Sequence, residues 1–454
     1  MPGLLGLYGL AGRSLMSLQT AMNAVSHNVA NAATEGFHRQ RVDLSAGSPQ
    51  IYAFGALGSG VTVGNVRRVE DRFLESALQR ETPLLARYQA RADVLSRAET
   101  AFGEPSDGGL STMLEDFWDG WDQLATSPED LGARESVVRL GAAIASSLGA
   151  AYTRLDEEQR SLTGDISQSV DDANRMIREL DHLNQAIVSS SRNGVPAADL
   201  EDQRDTMARQ LADLVGATAS VEADGTATVR LGGRVLVQKA GADPLVFDEA
   251  HGRSVTLQGS TIDAGDLGGR LGGLVEARDH DLADAKRRLD QMASKLAADV
   301  NAIHKGAKDR RGDEAPDFFV LQGVATDGVT GAAAALAVNA ALVQDASRVA
   351  AGSSGNPGDN RVALNLAALR DETDGAGALL RGVVADLGSR SKEAQDLATG
   401  QGVVVDSYWA QRESVSGVSL DEEASNLLRF QRAYQAAARV VTTVDEMAQS
   451  LLAM

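Results

Sequence analysis

Residues 420–451 read LDEEASNLLRFQRAYQAAARVVTTVDEMAQSL, and this stretch decides the fold. Its apolar set is Leu420, Ala424, Leu427, Phe430, Tyr434, Ala437, Val441, Val444, Ala448 and Leu451, at spacings of 4, 3, 3, 4, 3, 4, 3, 4 and 3. A heptad-like seam with one slip therefore runs the length of a single helix. The first thirty residues carry a matching stripe, Ala11, Leu15, Leu18, Met22, Val25 and Val29, at spacings of 4, 3, 4, 3 and 4. Between those positions stand Ser14, Gln19, Thr20, Asn23 and Ser26, polar but uncharged, a face suited to a protein partner rather than to bulk water. Chain termini usually fray. Two apolar stripes at the extreme ends predict helices that close on each other and on a neighbour, holding the rest in one elongated column.

Outward from the ends, Asn31 to Gly36 breaks the first helix, with Gly36 placed for a positive φ. Extended pieces follow over Phe37–Leu44 and Gly60–Val66. Helix returns over about 71–102, 110–124 and 134–191, the last as one long helix or a pair, with Leu155, Leu162, Ile166, Ile177, Leu180 and Ile187 inward. Asn193-Gly194-Val195-Pro196 reads as a turn before helix resumes over 199–215. The period then changes from 3.6 to 2. Ala227, Val229 and Leu231 alternate before Gly232-Gly233, and Val235 and Val237 after it, which predicts a β-hairpin. Leu245/Phe247 and Val255/Leu257 add short strands. Helices resume over about 271–303 and 377–412, with Asp317-Phe318-Phe319-Val320 as a short apolar anchor between them.

The expected fold is mainly α with a small β insert: an elongated multi-domain protein with a long helical bundle and coiled-coil core, its N- and C-terminal helices paired. Three parts are expected. Residues 1–70 with 413–454 form a terminal-helix domain, 71–215 with 266–412 a helical middle, and 216–265 the β-rich insert.

Composition narrows the function. Lys and Arg total 43 against 63 Asp and Glu, a net charge of −20 that repels phosphate backbones and excludes nucleic acid as a partner class. The absence of cysteine removes disulfides, thiolate metal sites and cysteine nucleophiles. No apolar run is long enough to span a membrane. The opening Met1-Pro2-Gly3-Leu4-Leu5 has no basic region, so no cleaved secretory signal is expected. The histidines at 27, 38, 182, 251, 280 and 304 show no paired metal spacing, and the glycine-rich stretches 55–60 and 268–273 match no phosphate loop. No catalytic set, metal or cofactor is expected. Asp421-Glu422-Glu423 falls in the first turn of the last helix, where acids offset the helix dipole or meet a neighbouring subunit.

Two segments carry a resemblance. Asn28-Val29-Ala30-Asn31-Ala32-Ala33-Thr34-Glu35-Gly36-Phe37-His38-Arg39-Gln40 resembles the N-terminal signature of bacterial flagellar rod, hook and hook-associated proteins. In that family it closes the first helix and turns the chain into an extended segment. Phe37 and His38 depart from the tyrosine and hydroxyl residue more usual there. Ser416-Gly417-Val418-Ser419-Leu420-Asp421-Glu422-Glu423, then Asn426-Leu427-Leu428 and Gln431-Arg432-Ala433-Tyr434, is similar to the hook-associated members, as is Leu200-Glu201-Asp202-Gln203-Arg204-Asp205.

The resemblance implies a non-enzymatic junction piece between hook and filament, outside the cell and exported without cleavage by the flagellar type III route. It implies hook protein on one side, hook-associated protein 3 on the other, and a ring of about eleven copies. It also implies an export chaperone over the C-terminal helix, where Leu427, Phe430, Tyr434 and Val441 would otherwise aggregate. The rival reading is a secreted surface adhesin displaying the β insert.

Overall fold

The computed structural model describes residues 4–52, 55–104, 108–192, 197–239, 241–249, 254–325 and 327–453. The turn expected at Asn193–Pro196, the opening Met1-Pro2-Gly3 and His251 lie outside these residues. Helix α1 (Leu4–Ala30) leads into strands β1 (Gln40–Ala46), β2 (Gln50–Tyr52), β3 (Gly55–Leu57) and β4 (Val61–Arg68). Helices α2 (Arg72–Glu99), α3 (Leu110–Thr126), α4 (Leu131–Arg192) and α5 (Ala198–Val215) follow. Strands β5 (Thr218–Val221), β6 (Ala227–Leu231), β7 (Arg234–Gln238), β8 (Gly241–Ala242), β9 (Leu245–Asp248), β10 (Ser254–Leu257) and β11 (Ser260–Thr261) come next. Helix α6 (Gly269–Glu276) passes through a π-helical turn, Ala277–Leu282, into α7 (Ala283–His304). The remainder is β12 (Phe319–Leu321), α8 (Ala332–Ala335), β13 (Leu336–Val338), α9 (Ala340–Gln344), α10 (Arg361–Ala367), α11 (Ala376–Ser416) and α12 (Leu420–Leu452). The fold is mainly α with small sheets, as the periodicities predict.

The chain forms two compact units, residues 1–84, 172–245 and 401–454 in the first and 85–171 and 246–400 in the second. This differs from the three parts expected. The single β insert of 216–265 resolves into separate sheets, with β5 to β8 in the first unit and β10 and β11 in the second. Strand partners are chosen by tertiary packing, which a period-two pattern does not encode.

In the first unit α1 and α12 pack along their lengths, and α1 also lies against β1 and β4. Strands β1 and β4 pair antiparallel from Gln40↔Arg68 to Ala46↔Val61, with an irregularity at Asp43/Leu44. The four-stranded sheet runs β5-β6-β7-β8. Its hairpin turn is the expected Gly232-Gly233, at φ 54° and 78°, values that suit the twist of the flanking strands and favour glycine. The end of α4 grips this region with two asparagines that imitate a strand edge. Asn184 donates to the Ala227 carbonyl at 2.9 Å and accepts its N–H at 2.8 Å. Asn174 does the same to Leu245, both at 2.8 Å.

In the second unit the expected anchor at 317–320 fills the core. Phe318 and Phe319 are buried beside Phe117, and Phe318 also meets Trp121 and His304, with ring centroids 4.9–5.8 Å apart across these contacts. His304 is buried and neutral. Its Nδ1 lies 2.8 Å from the Pro316 carbonyl, and its Nε2 accepts the Ala350 N–H at 3.0 Å. Burial pushes its pKa down to about 4.

Candidate interface where the chain termini meet

Helix α1 stops after Ala30 because Asn31 turns back. Its Nδ2 donates to the His27 carbonyl at 3.0 Å, and its own carbonyl accepts from Thr34 N–H at 2.9 Å. Gly36 adopts φ 79° as expected, and a Cβ there would lie 2.2 Å from Thr206 Oγ1, so both conformation and space demand glycine. Phe37 packs edge-on against His27, 5.4 Å between ring centroids.

The motif residues then clamp the start of α12. Asn28 Nδ2 donates to the Gln40 carbonyl at 2.9 Å while its Oδ1 accepts the Gln40 N–H at 2.9 Å, pinning the start of β1 to the helix. The same Nδ2 reaches Glu423 Oε2 at 3.2 Å, and Arg39 Nε donates to Glu423 Oε1 at 2.7 Å. Arg39 Nη1 also reaches Glu422 at 3.0 Å, and the Arg39 N–H donates to the Ser416 carbonyl at 3.2 Å. Burial disfavours the Arg39 charge, but Glu422 and Glu423 outweigh it and hold its pKa above the ordinary arginine value. Gln40 Nε2 donates to Asp199 at 2.8 Å. Ala30 and Thr34 are exposed.

Two of the three acids thus serve a third purpose: Glu422 and Glu423 recognise Arg39 of the same chain, and Glu423 is 1 % exposed. Asp421 is exposed. Ser419 caps α12, its side chain accepting from the Glu422 N–H.

With Asn28 beside Glu423 and contact along the helices, α1 and α12 run antiparallel. The expected C-terminal seam faces inward over Leu427, Phe430, Tyr434, Ala437, Val441, Val444 and Ala448, which are buried or half-buried. Leu420, Ala424 and Leu451 are exposed instead. At the start, Glu423 takes the inward position for Asn28 and Arg39, turning Leu420 and Ala424 out. Leu451, in the last turn of α12, is 62 % exposed. Gln431 is exposed.

On α1 the buried positions are Ala11, Ser17, Ala21, Val25 and Asn28. Leu15, Leu18 and Met22 sit half-buried at the rim, and Val29 is 43 % exposed. The face is rotated from the expected stripe because α1 serves two neighbours. The strands approach its small residues, and Ser17 Oγ donates to the Val61 carbonyl at 3.1 Å.

Behind the clamp lies a buried ion network built on His38, 1 % exposed. The His38 N–H donates to Asp202 Oδ2 at 3.1 Å, and its Nδ1 lies 2.7 Å from Asp202 Oδ1. Its Nε2 lies 3.2 Å from both Glu75 Oε1 and Arg412 Nη2. Arg412 Nε donates to Glu75 Oε1 at 2.6 Å. Arg68 Nη1 joins Asp202 at 2.8 Å to Asp205 at 2.7 Å. Trp409 stacks under the Arg209 and Arg412 guanidiniums at 5.5 and 5.2 Å. Burial opposes the charges of His38, Asp202 and Glu75, but each is outweighed. Hydrogen bonds to Asp202 and Glu75 raise the His38 pKa, bonds from His38 and Arg68 lower that of Asp202, and His38 with Arg412 brings Glu75 to about 2. His38, at the departure from the usual motif, therefore has partners of its own.

Glu75, Arg68, Arg209 and Arg412 were not singled out by the sequence. One signal existed. The buried face of α11 runs through Val405, Arg412 and Ser416, rather than through Leu397 and Val404, which are exposed. An arginine on an inward heptad position implies a buried acid opposite.

Among the described residues no group of His, Cys, Asp and Glu is arranged to hold a metal, and no helix is long and apolar enough to cross a membrane.

Comparison with known proteins gives a consistent likeness. Residues 95–319 match the family model described as "Flagellar hook-associated protein FlgK helical domain", and residues 411–454 match "Flagellar basal body rod FlgEFG protein C-terminal". The chain is 28 % identical to flagellar hook-associated protein 1 of Bacillus subtilis, over 97 % of this chain and 96 % of that one. It is 25 % identical to the protein of the same name from Escherichia coli, over 96 % and 97 %. The solved structure of the flagellar hook junction protein FlgK from Burkholderia pseudomallei shares the fold at a TM-score of 0.65 and 15 % identity, covering 75 % of this chain and all of that one.

Proposed function

We propose that the chain is a member of the flagellar hook-associated protein 1 family, a structural component of the flagellum at the hook–filament junction, and that its paired terminal helices join it to its neighbours. The family is a structural one, not known for catalysis. The adhesin reading gains no support from it.

The observation that carries the proposal is the two-sidedness of the α1–α12 pair. One face of each helix is used within the chain and fixed by Asn28, Arg39 and Glu423. The other leaves Tyr8, Met16, Leu420, Leu428, Val440, Met447 and Leu451 at 45–72 % exposure. Apolar side chains left outside on both members of a helix pair mark a surface completed by another chain.

In this reading copies of the chain form a ring of about eleven, closed by head-to-tail contacts between terminal helices. Hook protein meets one end of the ring and hook-associated protein 3 the other. The chain leaves the cell uncleaved through the type III route, with a chaperone covering α12 until assembly. Deleting the gene tests the placement. Cells with intact hooks and no attached filaments support it, and cells with normal filaments overturn it.

A further inference from the structure

The buried ion network contains an arrangement that a purely structural histidine would not need. His38 Nε2 has two partners of opposite chemistry at the same 3.2 Å, the acceptor Glu75 Oε1 and the donor Arg412 Nη2. An imidazole nitrogen is either N–H or lone pair, so it satisfies one of them at a time. Nδ1 has only the Asp202 carboxylate, 2.7 Å away, and keeps its proton in either state.

We infer that His38 is a proton-operated toggle: charged, its Nε2–H donates to Glu75 of α2, and neutral, its Nε2 lone pair accepts from Arg412 of α11. Neither state leaves a buried polar atom of the ring unpaired, which is the condition for both to exist in one fold.

The groups facing the ring are these. From α2 comes Glu75, which also receives Arg412 Nε at 2.6 Å and Arg209 Nη1 at 3.4 Å. From α5 come Asp202 and Arg209, from β4 Arg68 through Asp202, and from α11 Arg412. Burial opposes the charged ring, as does the Arg412 charge, and the two carboxylates in direct contact outweigh both. The net direction is upward from the ordinary imidazole value.

The consequence is mechanical. Arg412 stands one turn before Ser416, whose carbonyl takes the Arg39 N–H and after which the chain turns into α12. The neutral ring ties the N-terminal motif directly to that last turn, and the charged ring transfers the tie to α2. Protonation thus regulates how firmly the root of α12 is held. Its bearing on assembly rests on the proposed role of the terminal helices, whereas the toggle itself does not.

Histidine-selective nitrogen NMR on the full-length chain in dilute solution tests the toggle apart from assembly. His38→Gln identifies the signal among the six histidines. Between pH 5 and 9, Nδ1 should stay protonated while Nε2 changes from N–H to lone pair, with a midpoint above about 6.5. Arg412→Gln should raise that midpoint and Glu75→Gln lower it. Arg412→Gln should also cost the last turn of α11 amide protection above the midpoint more than below it. An Nε2 that keeps or lacks its proton throughout the range in the unmodified chain overturns the toggle, whatever the variants do.

Discussion

Arg39 Nε donates to Glu423 Oε1 at 2.7 Å, joining residues 384 apart in sequence, and the Glu423 side chain is only 1 % exposed. A buried acid that receives both Arg39 and Asn28 fixes the register of the α1–α12 pair. An apolar seam alone would tolerate a slip of one heptad.

Removing the acid leaves Arg39 and Asn28 without it. Glu423→Ala should destabilise the first unit by about 3–5 kcal/mol, read as a lowered denaturation midpoint followed by Trp409 fluorescence. Arg39→Ala should cost less, because Arg39 is 20 % exposed and water reaches it. A double-mutant cycle should return a coupling of about 0.5–3 kcal/mol, and additive effects would refute the lock.

Substitutions on the outer face should separate stability from assembly. Leu428→Asp and Met447→Asp alter residues 56 % and 52 % exposed, so the unfolding midpoint should move by no more than about 0.5 kcal/mol. Both should nonetheless impair attachment of filaments, counted by electron microscopy. Normal attachment would remove the outer face from the interface.

Acid should loosen the first unit through its carboxylates. The pKa values of Glu75 and Asp202 are depressed on folding, so their contribution is full above the unfolded carboxylate range. For Glu75 it is lost as pH falls from about 4.5 through about 2, and for Asp202 as pH falls below the ordinary aspartate range. His38 has the opposite sign. Its raised pKa contributes fully below about 6.5 and is lost as pH rises through the folded value. Denaturant midpoints of Trp409 fluorescence should therefore peak between these limits, and His38→Gln should flatten the alkaline side. An unchanged alkaline limb in the variant would contradict the assignment.

His304 gives the second unit a separate acid sensitivity. Folding lowers its pKa to about 4, so its contribution is complete above about 6.5 and declines as pH falls from there to 4. Fluorescence of Trp121, 6.2 Å from the His304 ring, should report a falling midpoint over that window. His304→Gln, neutral throughout, should abolish the slope even where it lowers the midpoint at neutral pH.

What the sequence disclosed follows the range of the forces involved. Helix α12 was legible because ten apolar residues repeat within its own length. The β6–β7 hairpin was legible because alternation and Gly232-Gly233 are local signals. Leu420 fits the periodic pattern yet lies outside, because periodicity does not say that an acid takes its place against the partner. His38 carried no local signal at all. Its partners stand 37, 164 and 374 residues away, and only the fold assembles them. Alternation marks the strands of 216–265 one by one, but contiguity in sequence is a weak guide to which of them share a sheet.

The free chain, before assembly, should be cut first at its ends. Brief proteolysis of dilute protein should remove material within about residues 1–60 and 415–454 while the remainder resists, since α1 and α12 each keep an uncovered side. Ends as resistant as the Trp121 core would mean the pair needs no neighbour.

The most direct measurement removes the last forty residues, and with them all of α12, and examines cells by electron microscopy. If the terminal pair is the joining element, hooks form normally and end bare, with filament protein shed into the medium. Filaments attached at normal number and length would contradict the account outright.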